Sequence, residues 1–240
     1  MRKFILCMEA LGREIALQIN NNQVIGIGTG STADCAVQAI GERIKNEKLS
    51  VFGITTSKAS SFKCAKARIT VLDPLSFEGK LDFGFDGADE IDPQGRVLKG
   101  RGAAMLMEKI VAKRCRKYFI IADESKIVGT LGEKFPVPIE IIAEAVGVVK
   151  DALYDLGAKE ITLRDSTHGK YGPVITDAGN IILDVKFNAV RDNLEKEIKS
   201  IVGVVESGLF LGYANEILIY KKGEIVRITP KISSYNLPKL

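Results

Sequence analysis

Phe4, Ile5, Met8, Leu11, Ile15 and Ile19 recur at helical spacing and the asparagines at 20–22 stop the pattern, so an amphipathic helix opens the chain. Val24 to Gly28 reads as a buried strand that runs directly into Thr29-Gly30-Ser31-Thr32 and a second helix carrying Ala33, Val37, Ile40 and Ile44. The unit then repeats. Val51 to Thr55 predicts a strand, Thr56 to Ala67 a polar loop and helix, and Ile69 to Leu72 and Leu81 to Phe85 two further strands. After a loop at Asp86 and a short Val97-Leu98 segment come a helix from Ala103 to Cys115 and a strand from Tyr118 to Ala122. Such alternation predicts an α/β fold, a Rossmann-like and mostly parallel sheet with helices on both faces.

Near Leu131 the texture changes. Phe135-Pro136-Val137-Pro138 marks a break, and Ile139 to Ile142 starts a new apolar run. A helix over 143–156, strands over 159–164, 174–176 and 181–185, a turn at Asp177-Ala178-Gly179-Asn180 and a helix over 191–201 predict a smaller α+β, ferredoxin-like domain. Gly208 to Leu211, Glu216 to Tyr220 and Ile225 to Ile228 read as strands returning to the first domain, with 230–240 as a surface tail. The expected division is therefore 1–131 with 206–240 as a catalytic domain and 132–205 as the small domain.

Composition narrows the function more than the fold. An apolar content of 46% over 240 residues is ample for a substantial core. The net charge of +4 is mild and spread along the chain, compatible with anionic small molecules. Its one dense run, Lys113-Arg114-Cys115-Arg116-Lys117, closes a predicted helix, where cations meet the negative end of the macrodipole; a nucleic-acid patch is the alternative reading. Cys7, Cys35, Cys64 and Cys115 form no C-x-x-C pair, which points to free thiols in a reducing compartment. Glu9 and Arg13 interrupt the apolar N-terminus before a signal-peptide core forms, and no apolar run approaches a membrane span, so the expected location is cytoplasmic.

The candidate chemistry follows the predicted strands: Thr29 to Thr32, Thr55 to Lys58, Asp86 to Asp89 and Asp123 to Lys126 each lie where a strand ends. In open α/β sheets ligands bind at that carboxyl edge. Gly26-Ile27-Gly28-Thr29-Gly30-Ser31-Thr32 is neither a dinucleotide fingerprint nor a Walker A loop. It reads either as a phosphate cradle of backbone N–H groups and hydroxyls at a helix N-terminus, or as a tight turn with Ser31 or Thr32 as N-cap. Lys126 could add the compensating charge. Asp86, Asp89, Glu90 and Asp92 read as a solvated acidic turn or a divalent-metal site, the latter weakened because the chain has one histidine, His168, in a polar turn. Acid–base work therefore falls to carboxylates. Glu108, at the margin of the apolar helix face between Ala104 and Ala112, is the best candidate base, and an exposed helix glutamate is the plain alternative. Gly100, Gly102, Ala103 and Ala104 leave room for a ligand at the start of that helix, within reach of Lys99.

Four blocks in this order and spacing resemble type A ribose-5-phosphate isomerases: Gly26 to Thr32, Asp86-Gly-Ala-Asp-Glu-Ile91, Lys99-Gly-Arg-Gly-Ala-Ala104 followed by Glu108, and Ala122-Asp-Glu-Ser-Lys126. Phe135-Pro-Val-Pro138 and Thr176 to Asp184 extend the resemblance over nearly the whole chain. It implies interconversion of ribose 5-phosphate and ribulose 5-phosphate through an enediolate, with no metal or organic cofactor. Position by position, Glu108 takes the role of the base that moves a proton between C2 and C1. Asp86, Asp89 and Lys99 correspond to groups that handle hydroxyl protons and stabilise charge. Thr29, Gly30, Ser31, Thr32 and Lys126 correspond to substrate and phosphate contacts, and Gly87, Ala88, Gly100, Arg101 and Gly102 lie in the same substrate loops. The resemblance further implies a homo-oligomer, dimer or tetramer, assembled with the small domain's help, and no nucleic-acid or membrane partner. Arg101 stands where many bacterial members have glycine and Met107 where arginine is frequent; neither change removes a reacting group. A phosphosugar deaminase of related architecture and a sugar-phosphate-binding regulator are the competing readings.

Overall fold

A computed structural model describes residues 2–167 and 169–230, with side chains from Leu6 onward. The readings of His168, of the 231–240 tail and of the Phe4 and Ile5 side chains fall outside these residues. The chain opens with α1 (Arg2–Ala16), β1 (Val24–Ile27), α2 (Ser31–Glu47), β2 (Phe52–Thr55), α3 (Lys58–Lys66), β3 (Thr70–Val71) and β4 (Phe83–Asp86). Short strands β5 (Glu90–Ile91) and β6 (Val97–Leu98) precede α4 (Met105–Arg114) and β7 (Tyr118–Asp123). Then come β8 (Val137–Ile141), α5 (Val146–Asp155), β9 (Ala158–Leu163), β10 (Ile181–Phe187) and α6 (Leu194–Lys199). Four strands complete the order: β11 (Val204–Ser207), β12 (Leu209–Phe210), β13 (Glu216–Lys221) and β14 (Glu224–Ile228).

These elements form two compact units, the first made of the chain up to Ala88, Met107–Lys126 and the chain from Gly212, the second of Asp89–Leu106 and Ile127–Leu211. In the first, seven strands make one sheet in the order β14-β13-β7-β4-β1-β2-β3, every pair parallel except β13 with β14. Burial on both faces explains why the central strands β1, β4 and β7 read as short continuous apolar runs. Leu11 and Ile15 of α1 and Val37 and Ile40 of α2 pack with Ile25, Ile27, Phe85 and Ile121 in one buried cluster. Val111 of α4 joins Ile54 and Leu81 in a second. The chain runs from β1 outward through β2 and β3 and then returns to β4 on β1's other side. The strand order thus reverses between β1 and β4, which is where such sheets bind ligands.

In the second unit β8, α5, β9, β10, α6 and β11 form the split βαββαβ arrangement, an antiparallel sheet ordered β11-β8-β10-β9. A separate three-stranded sheet, β12-β6-β5, belongs to the same unit. This unit is larger than the 132–205 expected from sequence, because Leu98, Val128, Leu131, Leu209 and Leu211 enter its hydrophobic cluster. Leu209-Phe210 accordingly does not return to the first sheet but pairs with Leu98 and Val97. Val137 and Pro138 are the opening residues of β8 and not a break before it; a proline is tolerated at a strand's start. Residues 174–176 do not form the expected strand. The Thr176 hydroxyl and the Asn180 amide instead donate to buried Glu140, at 2.8 and 2.9 Å, and fold the segment into its turn. The helix expected over 191–201 is confined to Leu194–Lys199.

Candidate active site

Asp86 is the last residue of β4 and is wholly buried, 0% exposed, at the switch point of the first unit's sheet. Its Oδ1 accepts the Gly87 N–H at 2.7 Å and the Thr29 N–H at 3.1 Å, so one carboxylate joins the ends of β4 and β1. The close approach depends on Gly28, where an added Cβ would stand 2.2 Å from the Asp86 Cγ and 2.7 Å from its Cα. Gly28→Ala should displace that carboxylate. The expected outcome is a stability loss of about 1–3 kcal/mol in chemical denaturation, together with a loss of activity; wild-type values for both would overturn this account of the packing.

Asp86 Oδ2 accepts a long hydrogen bond, 3.4 Å, from the hydroxyl of Tyr118 at the start of β7. Tyr118 is 1% exposed. Burial above all, then the charges of Asp86 and Glu108, pushes its phenol well above the usual range, so the hydroxyl stays a donor. Glu108 lies on the first turn of α4 and is 3% exposed, more deeply placed than the margin position its sequence suggests. Asp86, Tyr118 and Glu108 are thus one buried group of two carboxyls and a phenol. In sequence Tyr118 is hidden because it heads an apolar run; its signal is a polar-tipped ring in an otherwise apolar buried strand.

The glycine loop leads into α2, whose N-cap is Gly30 and not Ser31 or Thr32; no side chain caps this end. Ser31 and Thr32 therefore open the helix, and its N-terminus has the donor and dipole character that suits an anion. The Thr29 hydroxyl turns elsewhere, to Thr56 at 2.7 Å, Ser57 at 2.8 Å and Ser60 at 3.2 Å, while Ser60 donates to the Gly28 carbonyl at 2.7 Å. Thr56 and Ser57, from one of the polar loops expected at this edge, and Ser60, which sequence did not single out, hold the glycine loop. Lys126 ends a 3-10 turn after β7 on the same carboxyl edge.

In the second unit the Asp89 N–H donates to the Leu98 carbonyl at 2.8 Å, and its side-chain Oδ2 accepts the Arg101 N–H at 3.1 Å. Lys99 is 3% exposed, with its N–H on the Gly208 carbonyl at 2.9 Å and its Nζ 5.5 Å from the Phe210 ring centroid. The Arg101 guanidinium stacks 4.3 Å from the Phe135 ring centroid. Sequence-selected residues therefore fall in two sets. Thr29 to Thr32, Asp86 to Ala88, Glu108 and Lys126 belong to the first unit, and Asp89 and Lys99 to Gly102 to the second.

The acidic run is not a solvated turn. Buried Glu90 accepts the N–H groups of Gly132, Lys134 and Phe135 at 2.6, 2.6 and 2.8 Å, and Asp92 pairs with Arg96 at 2.7 Å. Among the described residues no group of three or more His, Cys, Asp or Glu converges as a metal site. Burial pushes the Cys7 thiol up to about 11 and those of Cys64 and Cys115 to about 12, so these side chains are poor nucleophiles. The basic run is engaged within the chain: Arg114 donates to the Gly79 carbonyl at 3.0 Å and Lys117 pairs with Glu216 at 2.7 Å. Among the described residues no helix is long and apolar enough to cross a membrane.

Buried carboxylates at the switch point of a doubly wound sheet, beside a glycine loop at an uncapped helix start, define an α/β enzyme of the acid–base type. The family model for ribose 5-phosphate isomerase A (phosphoriboisomerase A) matches residues 52–224. The ribose-5-phosphate isomerase A of Gloeothece citriformis (strain PCC 7424) is 42% identical over 233 residues, 95% of each chain. The structure of ribose 5-phosphate isomerase A from Methanocaldococcus jannaschii matches with a TM-score of 0.88 at 38% identity, covering 93% of this chain and 98% of that one. A D-ribose-5-phosphate isomerase solved in complex with phospho-erythronic acid matches at 0.86 and 35%, covering 92% and 97%. The chain belongs to the ribose 5-phosphate isomerase A family.

Proposed function

We propose that this protein interconverts D-ribose 5-phosphate and D-ribulose 5-phosphate through an enediolate, in the non-oxidative pentose phosphate pathway. The observation that carries the reading is the fixed Asp86 carboxylate with Glu108 and Tyr118 beside it, at the sheet's switch point. Glu108 takes the C2 proton of the aldose and returns it to C1, while the electron pair of the C2–H bond becomes the enediolate and then the new C1–H bond. Asp86 and Asp89 move the proton between the C1 and C2 oxygens, and Lys99 stabilises the oxyanion. Gly30, Ser31, Thr32 and Lys126 hold the phosphate, with Gly87, Ala88, Gly100, Arg101 and Gly102 lining the sugar. Neither metal nor organic cofactor enters these steps.

The same reading places the protein in the cytoplasm as a homo-oligomer, with the second unit contributing to assembly. Four free cysteines support the reducing compartment. The test is direct: purified protein should form ribulose 5-phosphate from ribose 5-phosphate, and should bind ribose lacking its phosphate far more weakly. Absence of the ketose product would sink the proposal; equal affinity for the two sugars would remove the phosphate loop from it.

A further inference from the structure

We propose that Arg164, oriented by Asp184, is a positioning residue that holds the Lys99–Arg101 loop in its working shape; the proposal rests on the isomerase reading of Lys99. Neither residue belongs to the sequence blocks that carry the chemistry.

Arg164 follows β9, and its backbone is fixed on both sides. Its N–H donates to the Ile182 carbonyl at 2.9 Å and its carbonyl accepts the Val174 N–H at 2.8 Å. From this anchored position the guanidinium works in two directions. Its Nε donates to Asp184 Oδ2 at 2.8 Å and a terminal nitrogen bonds Asp184 Oδ1, the paired geometry a carboxylate offers. The other terminal nitrogen donates to the Gly100 carbonyl at 2.8 Å and to the Arg101 carbonyl at 3.3 Å. Asp184 thus fixes the plane and balances the charge, and the loop carbonyls take the remaining donors.

The loop needs such a grip. Gly100 has φ of 103° and Ala103 has φ of 58°, so an alanine occupies the left-handed region that L-residues avoid. Asp89 holds the Arg101 N–H, and Arg164 holds the carbonyls of Gly100 and Arg101. The backbone immediately after Lys99 is therefore clamped from its donor and acceptor sides. A lysine in place of Arg164 would supply a point charge but no planar fork able to bind Asp184 and the loop together. Loosening the loop misplaces Lys99 against the oxyanion it stabilises. That interaction belongs to the transition state, so the loss should fall mainly on kcat, with only a small rise in KM from the sugar contacts of the same loop.

The test measures kcat and KM for ribose 5-phosphate, with amide hydrogen exchange, on Arg164→Ala and Arg164→Lys. For Arg164→Ala we expect kcat to fall about 10- to 100-fold, with KM within about threefold and faster exchange confined to residues 99–104. A cavity of about 170 Å³ lined by Arg101, Phe135, Pro136, Arg164 and Asp184 leaves room for a small cation. Guanidinium ion at sub-denaturing concentration should therefore restore part of kcat to the alanine variant. Wild-type kcat in a folded variant would overturn the proposal. So would a loss of kcat with exchange raised throughout the second unit and no rescue by guanidinium, the pattern of a merely structural residue. Should Arg164→Ala fail to fold, Arg164→Lys decides on the same split: a kcat lowered with KM nearly unchanged supports the proposal, and wild-type kcat refutes it. If the wild-type protein forms no ribulose 5-phosphate, the isomerase reading fails by itself, while exchange at residues 99–104 still shows whether Arg164 holds the loop.

Discussion

Glu108→Gln should lower kcat for ribose 5-phosphate by about 10²- to 10⁴-fold, the range a positioned general base contributes, and leave KM and the thermal midpoint nearly unchanged. The C2 proton lies beside a carbonyl and becomes acidic only as the enediolate forms, so a group must receive it within the transition state. Among the side chains grouped in the first unit's site, Glu108 is a carboxylate on a rigid helix, 3% exposed, close enough to Tyr118 to raise its pKa. Asp86 already has one oxygen committed to two backbone N–H groups. Glutamine matches glutamate in volume and keeps a carbonyl oxygen, so the buried site stays filled, but it cannot carry the proton from C2 to C1. The binding contacts assigned to Ser31, Thr32 and Lys126 are untouched, which is why substrate affinity should persist. Turnover within tenfold of wild type would remove Glu108 from the role of base and pass it to Asp86 or Asp89.

The two halves of the molecule differ in how legible they were. The strand, glycine loop and helix of 24–47 and the apolar run of 118–122 announce themselves because strands buried on both faces must be apolar and their loops polar. The same logic places Asp86 and Lys126 at one sheet edge before any geometry is seen. What sequence periodicity does not carry is allegiance across long separations. Nothing in Glu90-Ile91, Val97-Leu98 or Leu209-Phe210 states that these two-residue strands pair with one another, and a strand of two residues has no period to read. For that reason sequence alone groups Asp89 to Leu106 with the catalytic sheet, although it packs with the second unit. Side-chain partners across the chain are equally hidden. In sequence Glu90 is one more acid in a run; in the fold its carboxylate is the acceptor for the loop at 132–135. Arg164 ends the strand expected over 159–164, and lies 64 residues from the carbonyl it holds.

Asp86→Asn should separate frame from chemistry at the site's most buried group. Asparagine Oδ1 can accept the Thr29 and Gly87 N–H groups as the aspartate does, at the observed 3.1 and 2.7 Å. Its amide nitrogen then faces Tyr118, whose hydroxyl can rotate from donor to acceptor. The junction of β1 and β4 should survive, with stability within about 1 kcal/mol of wild type, the net worth of one such hydrogen bond. The ability to pass a hydroxyl proton is lost, and kcat should fall by about 10²-fold or more. Asp86→Ala makes the contrast. It leaves two partly buried N–H groups and the buried Tyr118 hydroxyl without this acceptor, at about 1–3 kcal/mol for the buried group and less for each partly buried one, so it should lose stability as well as turnover. Equilibrium denaturation and steady-state kinetics on both variants read the two effects separately. If the asparagine variant keeps turnover within about threefold of wild type, Asp86 serves only to join the strand ends, and the oxygen-to-oxygen proton transfer belongs to Asp89.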